Sequence, residues 1–399
     1  MSLRILFLSA WFPYPPDNGS RIRIFNLLRA LSRRHTVTLL SFLNHERGRE
    51  WLGVLQDFCR QVEVIPGREF RPWSFRALGG IFSPWPRFLL DVYSQKMRNL
   101  LEQALAEYPC DVVIGSELKM LPYLNGLPGI PTILEDLEVS LALDPLYGRQ
   151  SKLRSLWAEL SRRKFLRFMR QQLEHELSGC TVSSDLERTK VLRIVPNLEQ
   201  LAVVPNAVTF ERYQGDFGVP LPDTVTFAGA LSYFANFDAM KFFLTDVWPI
   251  VRARRSGARL FITGRTEGVS LEHLPLDESV TLTGYLADIR PQIARSQVCI
   301  APLRQGGGTR LKILEALALG TPVVATSKGA EGLAVTPGDD ILLADEPAEF
   351  ANAVIRLLDD KTLRAKLATN GRQLVEKRYS WEESAQALER LLCRVVEQK

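Results

Sequence analysis

Cysteine is scarce in this chain of 399 residues. There are five, at 59, 110, 180, 299 and 393, an odd and scattered set with no CxxC pair and no His-x-x-x-His spacing. That leaves no basis for a disulfide framework or a structural zinc and points to a reducing, cytoplasmic compartment. Long apolar runs are also missing. No run of 18 apolar residues exists, so a spanning helix is not expected. The opening MSLRILFLSAWFPYPP lacks a long apolar signal segment and a small-residue cleavage site, and residues 5–10 read better as a first strand. Neither sign of charge dominates. Fifty Lys and Arg against 45 Asp and Glu give +5, so nucleic acid is not implied and any basic partner site must be local. There is no GxGxxG, which argues against a dinucleotide-binding start.

What is present is length enough for two α/β domains, and one stretch around which the rest is organised. Residues 301–333 read APLRQGGGTRLKILEALALGTPVVATSKGAEGL. The apolar run 298–301 predicts a buried parallel strand. Gly306, Gly307 and Gly308 follow. A helical pattern then runs over 309–319, with Leu311, Leu314 and Ala318 on one face and Gly320 at its end, before a strand from 321 to 325. Glycines let a ligand approach the backbone closely, and the first amides of a helix lack intrahelical partners and favour an anion. Thr309, Lys312 and Glu315 are spaced by three and share a face. A hydroxyl and a cation near a phosphate, with a carboxylate one turn deeper for vicinal hydroxyls, suit a nucleotide. Arg310 adds a second cation at the mouth. The plainer reading is a capped helix with a Lys312–Glu315 surface pair, but a polar stripe inside so apolar a helix asks for a reason.

GGGTRLKILEALALGTPVVATSKGAEGL resembles the donor-nucleotide motif of family-4 retaining glycosyltransferases, in particular the subgroup with GGGTRLKILEA. The resemblance implies the GT-B fold: α/β, two doubly wound Rossmann-like domains facing a cleft. In that family a Glu, seven residues and a second Glu recur. Glu315 matches the second, which holds the ribose, whereas the first falls on Gly307. Further matches are the strand-and-serine segment 180–184 and the hinge 203–208, where Ala207 and Thr209 replace the usual glycine and aspartate. The small loop 229–236 lacks the family's Arg and Lys and ends in Asn236, either a subgroup nucleotide contact or a cap for a helix over 237–248. The diphosphate then leans on Arg310, Lys312 and backbone amides. Gly284 and Tyr285 resemble the segment that contacts the base, and an ordinary corner is the alternative.

In the first half, residues 4–9 and 36–42 predict strands around a helix over 20–33, with Ile24, Leu27, Leu28 and Leu31 inward. The Pro-rich loop 12–20, containing Asn18 and Gly19, resembles the family's cleft-facing loop; an ordinary turn fits equally. His35 reads as structural. Residues 68–98 mix arginines with Phe70, Trp73, Phe75, Phe82, Trp85, Phe88 and Tyr93, which suits an anionic membrane interface, an amphiphilic ligand or a packed loop. Strands are expected at 111–115 and 131–135. Glu135, Asp136 and Glu138 then stand at a strand's carboxyl end, where α/β sheets bind ligands. Asp136 and Glu138 are the acceptor-side candidates, with a helix N-cap by Asp136 the competing reading. Residues 146–177 predict a long basic helix.

Residues 205–223 read as a linker. The expected domains are 1–204 for an acceptor, 205–380 for a nucleotide-sugar, and a helix from 381 to 399 that crosses back. By resemblance the chain is a metal-independent enzyme without a cofactor. It would move a hexose with retention from a UDP- or GDP-type sugar to a glycolipid, polysaccharide or other cell-envelope glycan precursor, with Arg310 and Lys312 stabilising the leaving diphosphate. A nucleotide-sugar epimerase would need no acceptor surface, and a two-lobed sugar-binding receptor would need an export signal.

Overall fold

The computed structural model describes residues 2–43, 46–139, 152–306 and 310–398. Contacts divide the chain into one unit of Met1–Asn206 with Trp381–Lys399 and a second of Ala207–Ser380.

The first unit is a seven-stranded sheet in the order β3-β2-β1-β4-β5-β6-β7. Its strands are β1 (Arg4–Ser9), β2 (Thr36–Leu43), β3 (Gln61–Pro66), β4 (Val112–Ser116), β5 (Thr132–Glu135), β6 (Gly179–Val182) and β7 (Leu201–Val203), all parallel. Runs such as VVIGS are buried throughout because helices cover both faces of a parallel sheet. The helix Gly19–Leu31 starts where Asn18 Oδ1 accepts the Arg21 amide at 3.0 Å. Ile24, Leu27, Leu28 and Leu31 face the core, as their spacing predicts, and Arg21 and Arg23 are buried with them. Residues 68–98 fold into the short helices Phe75–Gly79 and Arg87–Val92 and the start of Gln95–Glu107. The basic helix spans Lys152–Gln171 and passes into a wide turn, Gln172–Glu176.

The last helix, Trp381–Glu397, belongs to this unit. Leu388, Leu391, Leu392 and Val395 are buried, each worth about 1.5–3 kcal/mol of apolar transfer. Ser384 Oγ donates to the Pro205 carbonyl at 2.8 Å, and Arg33 and Arg34 reach Glu382 and Glu389 at 2.8 and 2.9 Å. His35 is structural: its Nδ1 accepts the Leu3 amide at 3.1 Å, and burial holds the imidazole below its usual pKa.

The second unit is a six-stranded parallel sheet in the order β10-β9-β8-β11-β12-β13. It comprises β8 (Leu221–Ala228), β9 (Arg259–Thr263), β10 (Val280–Gly284), β11 (Ser296–Ala301), β12 (Val323–Ala325) and β13 (Leu342–Leu343). The helix expected over 237–248 begins earlier, at Phe234–Phe242, then takes a wide turn, Phe243–Val247, and resumes as Trp248–Arg254. Its N-cap is therefore Tyr233 rather than Asn236. The stretch read as a linker is in part integral to this unit: Val208 pairs with Ser380, and Phe210–Tyr213 forms a helical turn whose tyrosine reaches the site below.

Candidate functional site

Each sheet reverses its winding once, between β1 and β4 in the first unit and between β8 and β11 in the second. Loops leaving the carboxyl ends of strands diverge at such a point and leave a crevice, where open α/β sheets take ligands. Both points carry buried or half-buried polar groups.

In the second unit the helix Leu311–Ala318 follows β11. Ile313, Leu314, Ala316, Leu317 and Ala318 are buried, so it is apolar nearly all round, and Leu311, expected inward, is only half-buried. Leu319 caps the helix, and Gly320 follows with φ 73°. Lys312 and Glu315 are the polar residues on this helix, and they do not form the surface pair that a plain amphipathic helix would make. Lys312 Nζ donates to Asn236 Oδ1 at 2.7 Å and lies 4.1 Å from the Phe227 ring centroid. Asn236 is buried, and its Nδ2 donates to the Ala230 carbonyl at 2.9 Å, which aims the amide oxygen at the lysine. A Cβ on Gly229 would stand 2.7 Å from Asn236 Nδ2 and 2.8 Å from Lys312 Nζ, so glycine there is what lets the lysine lie against the end of β8. Burial, and then the charge of Arg310, pull the Lys312 ammonium down to a pKa of about 7.

Glu315 Oε1 accepts from the Tyr213 hydroxyl at 2.8 Å, and burial raises its carboxyl above the usual range. A carboxylate has about four acceptor positions and an ammonium three donors. One neutral partner on each leaves capacity to engage a ligand. Arg310, expected at the mouth, is 6% exposed; its Nη2 donates to the Gly306 carbonyl at 2.7 Å, where Gly306 has φ 93°. It ties Gly306 to the helix start. Gly307, Gly308 and Thr309 lie outside the described residues. Further along the sheet edge, Gly284 ends β10 with φ 67° and its carbonyl accepts the Gly264 amide at 2.9 Å. Tyr285 is exposed, with the Arg265 guanidinium 5.2 Å from its ring centroid.

The first unit holds a network that the sequence did not reveal. Arg23 is buried, with Nε donating to Glu135 Oε1 at 2.7 Å and Nη1 to Asn206 Oδ1 at 3.0 Å; Asp136 Oδ2 lies 3.7 Å from Nε. Ser116 Oγ donates to Glu135 Oε2 at 2.8 Å. Burial alone would weaken the guanidinium, but Asp136 and Glu135 more than offset this and raise its pKa. Glu135 is thus a buried structural partner, while Asp136 and Glu138 stay partly exposed. Asp136 takes φ 59° and donates its amide to Thr181 Oγ1 at 3.0 Å. Asn18 serves as the helix cap described above, and Gly19 opens that helix.

Glu117, at the end of β4, was also missed. It takes φ 70°, accepts from Trp11 Nε1 at 2.9 Å across the β1–β4 reversal, and is pushed up to about 7, chiefly by burial. Lys119 Nζ and the Arg21 guanidinium lie 5.0 and 5.9 Å from the Trp11 ring centroid. Two non-glycine residues in the left-handed region at adjacent strand ends is the kind of strain found at ligand sites. The glutamate within SELK gave no sequence signal of this.

Residues 222–360 match the family model described as glycosyl transferases group 1. Among curated proteins the chain is similar to the GDP-mannose-dependent monoacylated alpha-(1-6)-phosphatidylinositol monomannoside mannosyltransferase of Corynebacterium glutamicum, 32% identical over 162 residues, 37% of this chain and 42% of that protein. It is also similar to the D-inositol 3-phosphate glycosyltransferase of Corynebacterium efficiens, 27% identical over 234 residues, 55% of this chain and 54% of that one. The chain thus spans about half the length of the curated relatives it matches. Among solved structures, Anabaena HepE in complex with UDP and glucose superposes over 98% of this chain and all of its own at a TM-score of 0.69, with 17% identity. The fold is GT-B, with two Rossmann-like parallel-sheet domains of seven and six strands.

Proposed function

From a second domain that carries a glycosyl transferases group 1 segment in a GT-B fold, we propose that the chain is a glycosyltransferase. It moves a hexose from a nucleoside-diphosphate sugar to a glycan or glycolipid acceptor, with retention of configuration and without a metal. The observation that carries this is the Lys312–Glu315 stripe at the β8–β11 reversal, with each charge held by a neutral partner.

The donor's diphosphate meets Lys312 and the amides of the glycine loop, whose first glycine, Gly306, Arg310 holds. Glu315 takes the ribose hydroxyls, and Tyr285 offers a ring for the base. UDP and GDP are the bases to try first, since HepE was solved with UDP and the Corynebacterium glutamicum relative is named for GDP-mannose. As the glycosidic bond breaks, negative charge gathers on the departing diphosphate. A cation fixed beforehand beside it lowers the barrier more than it tightens the ground state. On the first domain, Asp136, Glu138 and Glu117 are the carboxylates that would orient acceptor hydroxyls.

The test follows diphosphate release from a labelled nucleotide-sugar with and without a cell-envelope lipid extract. Release that depends on the extract, with label passing to it, supports the transferase, and the anomeric configuration of the product reports retention. Lys312→Ala should depress turnover by about a hundredfold or more, beyond its effect on donor affinity. Label that stays in free sugar or in an isomerised donor would instead favour an epimerase. Binding without any turnover would favour a receptor.

A further inference from the structure

Among the described residues, four large aromatic side chains stand in solvent within one short segment of the first domain: Phe70, Trp73, Phe75 and Phe82, exposed by 41, 85, 95 and 92%. The segment is not loose. Asp91 is buried and accepts the Arg71 amide at 2.6 Å as well as the Ser74 hydroxyl. Ser74 Oγ in turn caps the helix Phe75–Gly79 by accepting the Ala77 amide at 3.0 Å. The Arg87 guanidinium donates to the carbonyls of Ala77 at 2.9 Å and Pro72 at 2.5 Å, and Lys164 reaches across from the helix Lys152–Gln171 to the Gly80 carbonyl. With Ala77 turned inward, the backbone is pinned on both sides while the aromatics are held outward. Arg68, Arg71 and Arg76 are exposed beside them, and Glu69 is the one acidic residue between 68 and 82.

Folded proteins seldom leave such a cluster uncovered without a partner. Aromatics interspersed with arginines suit the boundary between lipid headgroups and acyl chains, where rings bury their apolar faces and guanidinium groups meet phosphates. No described helix is long and apolar enough to cross a membrane, so the contact would lie in the interface plane. We propose that residues 68–82 are a docking element for an anionic lipid bilayer, with Trp73, Phe75 and Phe82 entering the interface and Arg68, Arg71 and Arg76 contacting lipid phosphates. This does not rest on the nucleotide site or on the transferase reading.

The experiment is flotation of the full chain with vesicles of phosphatidylcholine alone or mixed with phosphatidylglycerol, at low and high salt. The protein should float with the anionic vesicles, lose most of that binding in high salt, and be left behind by neutral ones. The triple change Trp73→Ala, Phe75→Ala and Phe82→Ala should cut partitioning by about tenfold or more, with circular dichroism and nucleoside-diphosphate affinity unchanged. Should the triple variant fail to fold, quenching of wild-type fluorescence by bromolipid, lost in Trp73→Phe, reads out the same insertion. Equal recovery with neutral and anionic vesicles overturns the proposal. So does a triple variant that floats like wild type, quenching that survives Trp73→Phe, or a wild-type dimer in solution that the triple change dissociates, which would assign the patch to a second copy.

Discussion

At the β1–β4 reversal Arg23 is surrounded by Glu135, Asp136 and Asn206, and its charge is neutralised in place. At the β8–β11 reversal Lys312 has an amide oxygen and an aromatic ring, and among the described residues it makes no ion pair. Glu315, three residues on, accepts from a phenol, and among the described residues it too makes no ion pair, feeling Lys312 and Arg212 only at longer range. The same topological position is thus used in two ways. A buried charge with its counter-charge is a finished structural device, since removing either partner strands the other. A desolvated ammonium and carboxylate left to neutral partners are costly until something of complementary charge or hydrogen bonding arrives. That difference is what the proposed anionic, hydroxyl-bearing ligand would complete at the second site, while the Arg23 cluster supports the first domain's strand ends.

The largest expected effect tests the finished side. Arg23→Met strands Glu135 and should lower unfolding stability by about 3–5 kcal/mol, read by urea denaturation. Adding Glu135→Leu should restore most of the loss. A single-variant cost below about 1 kcal/mol would make the cluster dispensable and erase the contrast.

The next effect concerns the open side. Glu315→Gln should leave stability nearly unchanged, since the carboxyl is desolvated already, but weaken nucleoside-diphosphate binding by about 1.5–3 kcal/mol in calorimetry, the worth of a hydrogen bond to a charged group. Unaltered affinity would remove Glu315 from the ligand's contacts.

The smallest effect is in pH. Lys312 titrates near 7 in the free protein, and a bound diphosphate favours its protonated form. Affinity should therefore fall by about fivefold between pH 7 and 8, with proton uptake seen as a dependence of the heat on buffer ionisation, and both should vanish in Lys312→Met. For folding the sign is opposite. The depressed lysine contributes full stability above its unfolded pKa of about 10.5, and that contribution declines as pH falls toward 7.

The Lys312–Glu315 stripe was legible in the sequence because it is local. Lys312, Glu315 and the glycines lie within ten residues, and the polar stripe in LKILEALALG shows against its apolar neighbours. Most strands were legible for the same reason, as apolar runs, whereas β3, where Gln61 and Glu63 alternate with valines, was not. The Arg23 cluster was not, since its partners Glu135 and Asn206 are 112 and 183 residues away and only the sheet order joins them. Asn236 was readable as a residue of interest, but a cap and a lysine partner look alike in one dimension. The helix begins one turn early at Phe234, which puts the amide inside the first turn where it can hold Lys312. Between 68 and 98 composition showed aromatics and arginines together, and only the fold sorts Trp85 and Phe88, packed on the core, from Trp73, Phe75 and Phe82 in solvent.

In the proposed function the charges at the β8–β11 reversal are completed by a nucleoside diphosphate. The direct measurement is titration calorimetry of the full chain with UDP, GDP and ADP, beside the Lys312→Ala, Glu315→Gln double variant. One diphosphate should bind the wild type at a single site and stabilise it against heating by about 2.7 kcal/mol at a hundred times its dissociation constant, and the double variant should show neither. No binding by any of the three, or the same affinity in the double variant, would contradict the claim.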